Sequence, residues 1–117
     1  MSKSKAIGTR RETWVVNRAK DAGFQARRAE NNAKSKDVLI TVAGRDVPHE
    51  VKDVAALSIH PILATAVETN GPDAAVVWHR KTKSKAGTKR VPAGPTLVAV
   101  TFDRYLQLLG FEEAAGA

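Results

Sequence analysis

A single α/β domain, a mixed five-stranded β-sheet flanked by helices in the order α-β-β-β-α-β-β-α, is predicted by the 117-residue sequence. Three observations predict it. Apolar residues recur at helical spacing over residues 9–22, over residues 59–70 and after Asp103; short apolar or β-branched runs separate these stretches; and no linker or internal repeat divides the chain. A chain of this length buries about two-thirds of its unfolded surface, enough for one core and too little for two.

In the first helix, residues 9–22, Val15, Val16, Ala19 and Ala22 fall at helical spacing and Gly23 is placed to stop it. A short strand, residues 24–29, follows. Residues 30–36 are polar and turn-like, and Asp37-Val38-Leu39-Ile40-Thr41-Val42 reads as a strand. Gly44 lies in the turn, and residues 47–52 return as a strand whose Pro48 argues for an edge or an irregular start. Ile59, Ile62, Leu63, Ala66 and Val67 describe an amphipathic helix, with Pro61 tolerated in its first turn and an end near Asn70-Gly71. Residues 73–79 and 96–102 are two further strands, joined by a basic, flexible-looking loop. Asp103 is placed to cap a last helix, in which Tyr105, Leu106 and Leu109 form an apolar stripe before Gly110.

Composition excludes several classes of function. With no cysteine there is no disulfide framework, thiol catalysis or cysteine-ligated zinc, and a reducing compartment, the cytoplasm, is expected. His49, His60 and His79 lack zinc-ligand spacing. The longest apolar run, Ala74-Ala75-Val76-Val77-Trp78, is far short of the roughly 20 residues that span a bilayer. Residues 1–11 are basic with no apolar segment behind them, so no secretory signal is expected.

The net charge of +7 points to a polyanionic partner, and its distribution sharpens the point. Lys3, Lys5, Arg10 and Arg11 stand without an acid in residues 1–11, and Arg80, Lys81, Lys83, Lys85, Lys89 and Arg90 stand without one in residues 80–95. These stretches carry +10 and leave the remainder at −3. Cationic segments around a mildly acidic body suit a protein that grips phosphates and does its chemistry elsewhere.

The hairpin of residues 37–52 is where that chemistry is expected. With Val42 facing Val47 across Ala43-Gly44-Arg45-Asp46, Asp37 falls opposite Lys52 and Leu39 opposite Glu50. Side chains alternate with period two, so Asp37, Glu50 and Lys52 share one face and Val51 points into a core. A slip of one residue would destroy the arrangement. Glu12 shares the stripe of Val15, Val16 and Ala19, which brings a carboxylate toward the sheet. Acidic oxygens beside a carbonyl suit Mg²⁺ or Mn²⁺, and Lys52 suits a fixed cation beside a phosphodiester. Plainer roles exist for the same residues: Thr9 and Glu12 have capping-box spacing, and Asp37 with Lys52 makes a cross-strand ion pair.

Gly8 followed by Glu12, then Gly23-Phe24, Arg27-Arg28, Ser35, Asp37, Glu50-Val51-Lys52 and a following helix resembles the archaeal-type Holliday junction resolvases of the PD-(D/E)XK nuclease superfamily. Compact members of that family occur in bacteriophages. The similarity covers the first half of the chain, and the rest only by element order. It implies a restriction-endonuclease-like core over residues 1–117, with residues 1–8 as a basic arm and 80–95 as a basic flexible loop. It implies a catalytic set of Glu12, Asp37, Glu50 and Lys52, with Mg²⁺ (or Mn²⁺) held by Asp37, Glu50, the Val51 carbonyl and Glu12. DNA contacts then fall to Arg10, Arg11, Arg28, Lys34, Ser35 and Lys36, joined by the six cations of residues 80–95. The implied protein is a homodimer that nicks two strands of a four-way junction symmetrically, leaving 5′-phosphates and 3′-hydroxyls. Two features depart from the family: Thr13 follows the first glutamate where arginine is common, and the basic loop is long. A nuclease acting on flaps, nicks or duplex, and a non-catalytic nucleic-acid-binding module, are the alternatives.

Overall fold

The computed structural model describes residues 3–30, 36–54, 56–83, 90–92 and 94–116, with side chains over 9–30, 36–54, 56–80 and 94–116. Helix α1 spans Lys3–Asp21. It starts six residues before the apolar periodicity does, so the basic arm expected at residues 1–8 is helical from Lys3. Thr9 therefore sits inside the helix, where its carbonyl accepts from the Thr13 hydroxyl at 2.9 Å, and the capping box with Glu12 does not form. Gly23 ends the helix as expected. With φ at 98° it lets its own N–H reach the Lys20 carbonyl (2.9 Å) and the Phe24 N–H reach that of Ala19 (3.0 Å), the paired bonds of a Schellman motif.

Strands β1 (Gln25–Arg28), β2 (Val38–Val42), β3 (Arg45–Lys52), β4 (Ala75–Trp78) and β7 (Leu97–Ala99) form a five-stranded mixed sheet in the order β1-β2-β3-β4-β7. Only β3 and β4 run parallel. A parallel pair needs a crossover, and helix α2 (Ile59–Asn70) supplies it. The extra strands β5 (Lys81–Lys83) and β6 (Arg90–Pro92) pair as a second, two-stranded sheet, so the segment expected as a flexible loop is a hairpin at both ends. Helix α3 spans Phe102–Gly116. The Thr101 hydroxyl accepts the Arg104 N–H at 3.1 Å, so Thr101 is the cap and Asp103 lies within the first turn; Gly110 does not end the helix.

The sheet divides its side chains between two faces. Val38, Val51, Val77, Ala26 and Ile40 meet Val15 and Val16 of α1, with Val38 fully buried. On the other face Val76 and, on α2, Ala66 are fully buried. Alternation puts Leu39, Pro48, Glu50, Lys52 and Trp78 on this second face. Pro48 lies in a central strand, contrary to the edge position expected. It fits because pairing with β4 begins only at His49, so its missing N–H falls where no ladder has formed.

The β2–β3 register also differs from the expected one. Val42 pairs with Arg45, not Val47, and Leu39 with Pro48, not Glu50. A two-residue turn, Ala43-Gly44, replaces the expected four-residue loop, with φ of 52° and 76°. Positive φ at both positions matches the twist of a tight hairpin. The shift is by two residues, so every side chain keeps its face. Among the described residues no helix is long and apolar enough to cross a membrane.

Alanine is a poor residue for the left-handed conformation at position 43, and asparagine a good one. Ala43→Asn is expected to stabilise the protein by about 0.5–1 kcal/mol, read as a higher denaturation midpoint at unchanged m-value.

Candidate active site

Asp37 occupies the point where β2 begins and its ladder with β3 loses regularity. The Asp37 N–H donates to the His49 carbonyl at 2.7 Å, and its own carbonyl accepts from the Ala29 N–H at 2.8 Å. Its carboxylate turns back into the plane of the sheet, where Oδ2 accepts the Val51 N–H at 2.8 Å. Within a strand, the N–H and C=O of one residue project to the same side and alternate along the chain. The Val51 carbonyl therefore projects toward the β2 side as well, at the level of the Asp37 carboxylate.

Glu50 and Lys52, two residues apart on β3, stand side by side on the α2 face. Lys52 Nζ lies 3.2 Å from Glu50 Oε1. The other oxygen, Glu50 Oε2, is buried and has no hydrogen-bond partner among the described residues. A buried carboxylate oxygen left unpaired costs roughly 1–3 kcal/mol or more, and in folded proteins such an oxygen is ordinarily met by a protein donor, an ordered water or an ion.

Glu12 approaches from α1, and Arg28 Nε donates to its Oε1 at 3.2 Å. Arg28 Nη2 also reaches the Thr9 hydroxyl at 3.4 Å. Burial, and after it the negative charge of Asp37, raise the Glu12 pKa; Arg28 pulls it back, and Glu50 adds a smaller push upward. Three carboxylates thus share one field although they come from a helix, a strand start and a strand end. They do not make the three-carboxylate cage expected when Glu12 is counted as a ligand. Among the described residues no three His, Asp or Glu side chains stand close enough together to hold a metal ion. Glu12 is engaged instead by the Arg28 guanidinium.

The cations are placed as follows. Alternation gives the Glu50 face to Arg27, whose Nη2 lies 2.7 Å from Asp46 Oδ2, while Arg28 belongs to the α1 face and meets Glu12 there. Asp46 is held below the ordinary aspartate range by Arg27 first and by the Thr41 hydroxyl second. Arg10 is exposed. Arg11 turns inward, with Nε 3.6 Å from Asp53 Oδ2 and its guanidinium 5.5 Å from the centre of the Trp14 ring. Lys36 is half-buried and lines a polar groove of about 530 Å³ with Arg27 and Arg28. Arg80 is exposed just before β5. Lys81 and Lys83 lie on β5 and Arg90 on β6, with side chains outside the described set; Lys34, Ser35, Lys85 and Lys89 lie outside the described residues.

Two partners were not singled out from sequence: Asp53, which meets Arg11, and the Val51 N–H, which holds Asp37. Thr9 was read only as a cap for Glu12, whereas its hydroxyl meets Arg28. Comparison of the chain with protein-family models, with curated proteins and with solved structures finds no match.

The field around Glu12 has a definite sign. Its pKa, read by carboxyl-selective NMR titration, is expected above 4.5; Asp37→Asn lowers it toward that value and Arg28→Ala raises it further. The raised pKa means that protonated Glu12 favours the fold. That contribution is full below pH 4.5 and is lost as pH rises through the raised value.

Proposed function

We propose that the chain is a metal-dependent DNA endonuclease with a restriction-endonuclease-like core, acting as a homodimer that resolves four-way junctions by paired phosphodiester hydrolysis. The observation that carries this reading is the buried, unpartnered Glu50 Oε2 beside Lys52, at the strand position whose backbone N–H holds Asp37. A structural ion pair has no use for a second, unsatisfied oxygen. A divalent cation does.

The donors fit such an ion. Asp37, Glu50 and the Val51 carbonyl form a hard oxygen set, and Mg²⁺ is ordinarily held by one or two carboxylates with waters and substrate phosphates completing its shell. When bound, Mg²⁺, or Mn²⁺ in its place, supplies Lewis acidity that lowers the pKa of a water and offsets charge on the phosphodiester. The remaining work falls to the chain itself. Val51 fixes the Asp37 carboxylate through its N–H, so that side chain needs no reorganisation on substrate binding. Lys52, half-exposed and fixed by Glu50, presents a cation toward solvent on the same face, where it orients the attacking water or stabilises the phosphorane-like transition state. Glu12, with its raised pKa, is suited to take a proton from a water or return one to the leaving oxygen. Arg28 limits that rise and holds the carboxyl in place.

The substrate reading rests on charge and on resemblance. The two basic stretches outweigh the acidic remainder, and Arg27, Arg28 and Lys36 line a groove around the start of β2. A junction with two-fold symmetry requires two active sites, hence the homodimer.

Purified protein incubated with labelled four-way junction and with matched linear duplex, in Mg²⁺ or in chelator, tests the proposal. Symmetric, metal-dependent nicks in the junction are expected. Equal cutting of duplex would transfer the reading to a nuclease of other specificity, and binding without scission to a non-catalytic module. Glu50→Gln and Lys52→Ala are expected to abolish cutting and leave junction binding intact, because affinity comes mainly from phosphate contacts elsewhere. Mg²⁺ should stabilise the unmodified chain by about 2.7 kcal/mol at a hundredfold excess over its dissociation constant, and Glu50→Gln should lose that gain. Removing the six cations of residues 80–95 is expected to flatten the salt dependence of binding by up to roughly five log units per log salt; an unchanged slope would show that the segment does not touch DNA.

A further inference from the structure

Helix α3 leaves its apolar side chains exposed, on the side of its one buried residue, Arg104, by Leu108 and Phe111 and on the opposite side by a longer stripe. Phe102, Tyr105, Leu106 and Leu109 follow the i, i+3, i+4, i+7 spacing of a stripe that ordinarily packs on a sheet. Yet all four are exposed, Phe102 at 71% and the others between 42% and 49%. The only buried residue of the helix is Arg104, 8% exposed, whose guanidinium lies 3.8 Å from Asp73 Oδ1 and 3.3 Å from Gln107 Oε1. At 100° per residue, Arg104 lies roughly 150° around the helix from the centre of the apolar stripe. Arg104 therefore faces the body of the protein, flanked by the exposed Leu108 and Phe111, and the four-residue apolar stripe faces away from it.

We infer that a second copy of this chain covers the stripe, the two α3 helices packing on each other across a two-fold axis. Charge narrows the choice of occupant. The exposed ionisable residues of α3 are Asp103, Glu112 and Glu113, and its one cation is the buried Arg104, so the face repels nucleic acid and anionic lipid. Area is adequate for a dimer. The four side chains leave about 400 Å² of apolar surface per copy. Two copies, at the apolar share of about 65% usual in homodimers, give about 1,200 Å² in total, at the lower end of the range of stable specific interfaces. An isologous contact also asks each stripe to match only itself, which an apolar face with acids toward its ends does. A crossing near −50° would carry the acidic ends of the two helices apart.

This inference names the surface of the homodimer in the proposed function, and its test reads mass, so its failure is separable from failure of the nuclease reading. Sedimentation equilibrium of the full chain is expected to give a dimer. Leu106→Glu with Leu109→Glu is expected to give a monomer with unchanged far-UV circular dichroism, because both positions are exposed. Tyr105→Cys is expected to crosslink two copies under mild oxidation, which keeps the test informative should the double variant misfold. A monomeric unmodified chain overturns the inference, as does a dimer that survives the double substitution with its fold intact. Binding of the stripe to neutral phosphatidylcholine vesicles in place of self-association also overturns it.

Discussion

The hydrogen bond from the Val51 N–H to the Asp37 carboxylate is the interaction on which the site depends. It occurs where β2 has no further residue to offer β3, so a side chain completes the ladder in place of a backbone carbonyl. The substitution satisfies a part-buried donor that would otherwise be orphaned. It also leaves the Asp37 carboxylate in the plane of the sheet, belonging to neither face. That placement is what allows Glu12 from the α1 side and Glu50 with Lys52 from the α2 side to share one electrostatic field.

The arrangement carries a standing cost. Like charges gather, and the molecule limits the repulsion by setting one cation against each flank, Arg28 on Glu12 and Lys52 on Glu50. The Lys52 pair leaves Glu50 Oε2 without a hydrogen-bond partner among the described residues.

Much of this was legible in the sequence, for reasons that differ from residue to residue. The shared face of Glu50 and Lys52 followed from period-two alternation and survived a two-residue error in register, because parity is all that alternation reports; Asp37, expected on that face, lies just before β2 and turns its carboxylate into the plane of the sheet to meet the Val51 N–H. The turn was misjudged because Ala43 is an unusual residue at positive φ. Helix α1 was begun too late because Lys3 to Gly8 carry no apolar stripe, and a threonine three residues before a glutamate inside a helix has the spacing of a capping box. The Arg28–Glu12 pair joins elements 16 residues apart, which no local pattern encodes. The stripe on α3 was visible as periodicity, but periodicity states that a helix has an apolar side, not where that side points.

The unbroken course of α1 from Lys3 to Asp21 has a mechanical meaning. Arg10 and Glu12 are mounted on one stiff rod, about 3 Å apart along its axis and turned some 200° from each other. A polyanion held at the exposed Arg10 would therefore lie across the rod from the carboxylates. Any tilt imposed on the outer side of the rod is delivered, undiminished, to Glu12 on its inner side.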